Sequence, residues 1–93
     1  MKVTYTARAR RDLVQILRFT AAYFPTALVG LTQRLRRIEA QIADWPESAP
    51  LVEDVADVRM IPLGRYPFKL FYAVRPGWVE ILYIHHVARN NPP

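Results

Sequence analysis

Cysteine is absent from this 93-residue chain, which excludes both a disulfide framework and a thiolate metal site. No apolar run approaches the roughly 18–20 residues that cross a bilayer, although apolar residues make up 52% of the chain. The opening residues enter a strand-like segment with no signal-peptide pattern, which points to a cytoplasmic protein. Glycine occurs three times and histidine twice. No glycine-rich phosphate loop, nucleophile elbow or paired-carboxylate motif can be assembled. The two histidines, His85 and His86, are neighbours; in a strand they face opposite ways and cannot readily chelate one metal. No third ligand is spaced to help them, so neither a metal nor a cofactor is expected. Acidic residues are scarce after Val58, where Glu80 is the only one.

Basic residues dominate what remains. The net charge is +5 and the pI about 10.1. Residues 1–44 hold eight basic and three acidic side chains, residues 45–58 four acids and no base, and residues 59–93 five bases and one acid. Two basic blocks flank an acidic loop, a distribution suited to a polyanionic partner, either nucleic acid or an acidic protein.

Ninety-three residues suit one compact domain spanning positions 1–93. Lys2 to Thr6 reads as a short strand with Val3 and Tyr5 inward, and Thr6 as the N-cap of a helix reaching about Tyr23. Leu13, Ile16, Leu17, Thr20 and Phe24 recur on its apolar stripe. A second helix is expected from about Thr26 to Asp44. Its seam of Leu28, Leu31, Leu35, Ile38, Ile42 and Trp45 alternates spacings of three and four, the pattern of antiparallel helices packed at a shallow angle. Trp45-Pro46 stops it, because the residue before proline avoids the α region.

The stretch from Asp57 to Asn90 reads as three strands. Val58 to Leu63 is rich in β-formers and is broken by Gly64. Phe68 to Val74 alternates with period two, and so does the run from Val79 to Ile84. A loop at Pro76-Gly77 places Arg75 opposite Trp78, Val74 opposite Val79 and Phe68 opposite His85. Phe68, Leu70, Tyr72, Val74, Val79, Ile81 and Tyr83 then share an apolar face, with Lys69 and His86 on the other. The helical hairpin must cover that apolar face. The expectation is a two-layer α+β fold: N-terminal strand, helical hairpin, then a three-stranded antiparallel meander.

The run VRMIPLGRYPFKLFYAV, followed by VEILYIHHVARN, resembles the C-terminal half of the RelE/ParE toxin superfamily, closest to ParE-type plasmid-stabilisation toxins. Val58-Arg59, Pro62, Gly64-Arg65, Pro67, Tyr72, Val79 to Leu82 and His85-His86-x-x-Arg89 carry the likeness. The opening VTYTARARRDLVQILRFTAAYF, with Ala9, Asp12 and Leu13, is similar to the family's start. The resemblance implies a first strand joined to the meander at its edge. It implies a cytoplasmic toxin of a type II toxin–antitoxin pair, ParE-like, inhibiting DNA gyrase without catalysis of its own. It also implies a small antitoxin with an acidic or disordered C-terminal segment.

RelE-like members cleave mRNA on the ribosome, and that activity is the alternative; a small basic nucleic-acid-binding domain is a third. A metal-free ribonuclease needs a base, an acid and cations for the phosphate. Lys69 falls where RelE-like toxins place a cation on the middle strand, and Arg89 near their C-terminal arginine. No tyrosine follows the last strand, which leaves His86 as the acid–base candidate. Under the RelE-like reading the catalytic candidates are Lys69, His86 and Arg89. Under either reading, Arg59, Arg65, Lys69, His86 and Arg89 are the residues expected to meet target or partner.

Overall fold

The computed structural model describes residues 1–87. Strand β1 (Lys2–Tyr5) leads into helix α1 (Ala7–Tyr23). A 3-10 turn (Pro25–Ala27) connects it to helix α2 (Leu28–Asp44), and strands β2 (Arg59–Pro62), β3 (Phe68–Arg75) and β4 (Trp78–His86) follow. Thr6 caps α1 as expected: its hydroxyl accepts from the Ala9 N–H at 3.0 Å, satisfying a donor that the first helical turn leaves free. Pro25 starts the 3-10 turn, so α2 begins at Leu28 and Thr26 does not cap it. Trp45 closes α2 with its N–H on the Gln41 carbonyl.

The four strands form one mixed sheet in the order β1-β4-β3-β2, with β1 parallel to β4 and the other pairs antiparallel. The first strand joins the meander at its edge, as the family resemblance implies. Leu31, Leu35, Ile38 and Ile42 of α2 are buried in one cluster with Leu70, Tyr72, Val79 and Ile81 of the sheet, and α1 adds Ala9, Leu13, Ile16 and Leu17. The hairpin therefore covers the sheet. The ends of its stripes do not: Trp45 is 70% exposed and Phe24 57%, because each follows the last residue of its helix and leaves the helical screw.

The outer edge of β2 is partly occupied. The Met60 N–H donates to the Pro50 carbonyl and the Val52 N–H to the Val58 carbonyl, and Leu51 bridges to Arg59. Pro62 offers no N–H for an added strand. Tyr72, fully buried, donates its hydroxyl to the Pro46 carbonyl at 2.7 Å and ties the loop after α2 to the sheet.

The β3–β4 hairpin turns through Pro76-Gly77, with Gly77 at φ +89°, and pairs Arg75 with Trp78 and Val74 with Val79. That much matches the expected register. The far end does not: Phe68 lies opposite His86 and not His85, and Lys69 lies opposite His85. The register shifts between Phe71 and Tyr72, where Phe71 pairs with Tyr83 and Tyr72 with Ile81, leaving Leu82 as an extra residue in β4. Because side chains alternate, one inserted residue transfers everything beyond it to the opposite face. Ile84 accordingly takes the core position expected of Tyr83 and is buried. Tyr83 and His85 turn to the far face, and His86 turns toward the helices.

Candidate functional site

The bulge composes the face of the sheet turned away from α2. Tyr83 and His85, two apart on β4, stack with ring centroids 4.6 Å apart and planes at 28°. Across the ladder, Phe71 lies 4.7 Å from Tyr83 and 5.6 Å from His85. Lys69 pairs with His85 in register. These side chains are half-buried: they hold one another in place while their outer surfaces meet solvent.

Arg8, on the first turn of α1, joins them from a distant part of the chain. Its guanidinium carbon sits 4.5 Å from the Tyr83 ring centroid, and its Nη2 lies 2.8 Å from the His85 Nε2. A guanidinium only donates, so Nε2 is the acceptor in this contact. Arg8 thus makes a cation–π contact and a charge-assisted hydrogen bond at once.

Three bonds carry α1 to this point. The Thr6 N–H donates to the Ile81 carbonyl at 3.0 Å and the Thr6 hydroxyl to the Leu82 carbonyl at 2.7 Å. The Ile84 N–H donates to the Asp12 carboxylate at 3.0 Å. Strand β1 pairs with β4 only as far as Ile81. Beyond it, α1 side chains serve the edge that a strand would otherwise fill. The bulge at Leu82 falls at that change of neighbour.

The other expected residues are dispersed. His86 packs edge-on against Phe68 at 5.2 Å, on the helix side. Arg59, also on that side, donates from Nη1 to the Ala49 carbonyl at 2.7 Å and the Glu47 carbonyl at 3.1 Å, bracing the acidic loop. Arg65 sits in the β2–β3 turn, 5.6 Å from the Tyr66 ring centroid. Arg89 lies outside the described residues. Of the residues expected to form a site, only Lys69 stands in the aromatic cluster. Phe71 shares the Lys69 face as the strand alternation expects, but Arg8, Tyr83 and His85 were not anticipated there: the bulge reverses the histidines, and 77 positions separate Arg8 from His85. Among the described residues, no group of three His, Asp or Glu side chains could hold a metal, and no helix is long and apolar enough to cross a membrane.

Comparison with known proteins agrees with this architecture. The family model "ParE toxin of type II toxin-antitoxin system, parDE" matches residues 3–91. The protein named Toxin RelE2 of Caulobacter vibrioides is 29% identical over 89 residues, covering 95% of this chain and 97% of that one. A solved structure titled "Chromosomal ParDE TA system from P. aeruginosa" superposes with a TM-score of 0.77 at 24% identity, over 94% of this chain and 96% of that one, a likeness of fold. With a strand, a helical hairpin and a meander in that order, and a family match from the first strand to beyond the last, the chain belongs to the ParE toxin family of type II toxin–antitoxin systems.

Proposed function

We propose that this protein, as one toxin domain over residues 1–93, acts in the cytoplasm by binding and inhibiting DNA gyrase and is neutralised by a cognate antitoxin. Family membership supports the antitoxin pairing. The Arg8–Tyr83–His85 arrangement carries the choice of a binder over a catalyst. RNA cleavage needs one group poised to take a proton and another to give one, both at the phosphate. Here the His85 Nε2 already accepts from Arg8, and Arg8 also covers one face of Tyr83. The face offers fixed cations and ring surfaces, features of a recognition surface.

The RelE-like reading keeps one favourable observation, the cross-strand pairing of Lys69 with His85 beside Tyr83. Under it the reacting groups are Lys69 and His85, with His86 turned to the helix side. The same rings and cations would serve a nucleic-acid-binding domain by base stacking. Two assays separate these readings. Purified protein is expected to block gyrase supercoiling and to leave ribosome-bound mRNA intact. Arg8→Ala is expected to weaken gyrase inhibition about tenfold, about 1.4 kcal/mol. Codon-dependent cleavage in reconstituted translation, abolished by His85→Ala or Lys69→Ala, would install the nuclease reading instead.

A further inference from the structure

A second cationic site lies away from the aromatic face, where α2 meets the β2–β3 turn. Gly30 and Arg34 are four residues apart on α2 and so share one helix face. A methyl group added at Gly30 would collide with the Tyr66 hydroxyl and lie 3.7 Å from the Arg65 Nη2. The Tyr66 hydroxyl and the Arg65 guanidinium therefore both reach the helix surface at this glycine. One turn further on, Arg34 lies against the same loop: its Nη2 donates to the Pro62 carbonyl at 3.3 Å. A methyl group at Gly64, φ +66°, would stand 3.6 Å from the Arg34 Nε. That Nε is buried and has no hydrogen-bond partner among the described residues.

Two guanidinium groups and a phenol hydroxyl thus gather at one corner, and among the described residues no carboxylate forms an ion pair with either guanidinium. There is no Asp or Glu from Val58 to Val79, nor from Leu28 to Ile38. The first acid of α2, Glu39, accepts from the Tyr5 hydroxyl. The ion pair among the described residues is elsewhere, between Arg75 and Glu80. Arg34 spends one Nη2 bond on the Pro62 carbonyl and Arg65 is exposed, so both keep donors for a ligand, and the planar donor fork matches a carboxylate in particular.

We propose that Arg34, Arg65 and the Tyr66 hydroxyl form a carboxylate-binding site for an acidic side chain of the antitoxin. The inference rests on the antitoxin pairing above and adds where its acidic segment is anchored. The side chain enters at the Gly30 corner, where absence of a Cβ leaves room for Tyr66, and bonds to both guanidinium groups. Charge complementarity selects this occupant: the chain carries +5, and neither segment that forms this corner, residues 28–38 nor residues 58–79, holds an acid.

The test is calorimetric titration of the antitoxin encoded beside this gene into wild-type protein, Arg65→Ala, Arg34→Gln and the double variant, with Lys2→Ala as control. Single variants are expected to bind 5- to 20-fold more weakly and the double variant at least 50-fold, with Lys2→Ala within twofold of wild type. Tyr66→Phe is expected to lose less than either arginine variant. Arg65 is exposed, so Arg65→Ala keeps the test valid if Arg34→Gln folds poorly. Undiminished affinity in the Arg65 and double variants would overturn the anchoring site and leave the antitoxin pairing intact. Failure of the wild-type protein to bind would overturn both. Loss of affinity for a DNA duplex, with antitoxin binding unchanged, would also overturn the proposal and assign the corner to nucleic acid.

Discussion

At the residue scale, Gly30 and Tyr66 form a pair whose energetics are opposed. Alanine in a helix interior is favoured over glycine by about 0.8–1.0 kcal/mol, so Gly30→Ala should stabilise α2 on propensity alone. The added methyl instead meets the Tyr66 hydroxyl, while the next ring atom stays at 3.5 Å, an ordinary contact. Gly30→Ala is therefore expected to lower stability. In a Tyr66→Phe background the same change should raise it, by up to about 1 kcal/mol. Urea unfolding of the four proteins in this cycle reads the sign directly. Tyr5 supplies a second residue-level effect. Burial, and then its hydrogen bond to Glu39, raise its pKa well above the usual tyrosine value, and burial raises that of Tyr72 too. A group held protonated in the folded state contributes fully below its unfolded pKa of about 10, and that contribution is lost as pH rises toward the folded value. Stability should be flat in this respect to about pH 9 and fall above about pH 10, and Tyr5→Phe should make the fall shallower in thermal unfolding.

At the element scale, α2 holds the layers together. Ile38 and Ile42 are fully buried, and Leu31 nearly so, on a stripe turned to Leu70, Tyr72 and Ile81 in the same cluster. Ile38→Ala is expected to cost about 2–5 kcal/mol, from lost burial and the cavity left in a dry core. A denaturant-midpoint change equivalent to less than about 0.5 kcal/mol, the size typical of surface substitutions, would mean that the hairpin does not cover the sheet. The heptad-like spacing of α2 was legible because six apolar positions repeat with one period. Its partner was less so: the seam satisfies the sheet as readily as a second helix, since both present an apolar stripe. The bulge in β4 was not legible at all. Residues 81–84 are Ile-Leu-Tyr-Ile, apolar on both faces, so the sequence does not choose which side each takes, and no glycine or proline marks Leu82. The bulge falls where Thr6 and Asp12 of α1 take over the β4 edge, contacts that period-two reasoning along one strand cannot see.

At the scale of the whole molecule, charge is set against shape. The helices and the last strands are basic and the loop before β2 is acidic. An antitoxin with the acidic segment proposed above would be steered by the summed field before any contact forms. Raising ionic strength toward 0.5 M should slow antitoxin association markedly and change dissociation much less, because exposed charges are screened beyond about 10 Å at 0.1 M and closer at higher salt. Stopped-flow mixing with the purified antitoxin measures both rates; an association rate indifferent to salt would remove the basic surface from recognition. Strand addition has little room at β2, whose edge residues 50–52 and Pro62 partly close.

Local chemistry in the sequence determined where most elements begin and end. Thr6 caps, Pro46 stops, Gly64 and Gly77 turn, and alternating apolar residues choose strands; each acts over a few neighbouring residues and needs no knowledge of the rest of the chain. The likeness to toxins of this family was legible for a related reason, since it resides in the order and spacing of such short features. Tertiary structure alone decided which histidine faces which way. A single extra residue in β4, placed where β1 gives way to α1, carries Tyr83 and His85 to the face with Phe71 and Lys69 and brings Arg8 over them. The same long-range packing sets Arg34 beside Arg65 and Tyr66, side chains 31 or more positions apart in the sequence for Arg34 and its partners. Those arrangements depend on contacts between distant segments, which only the folded chain brings together.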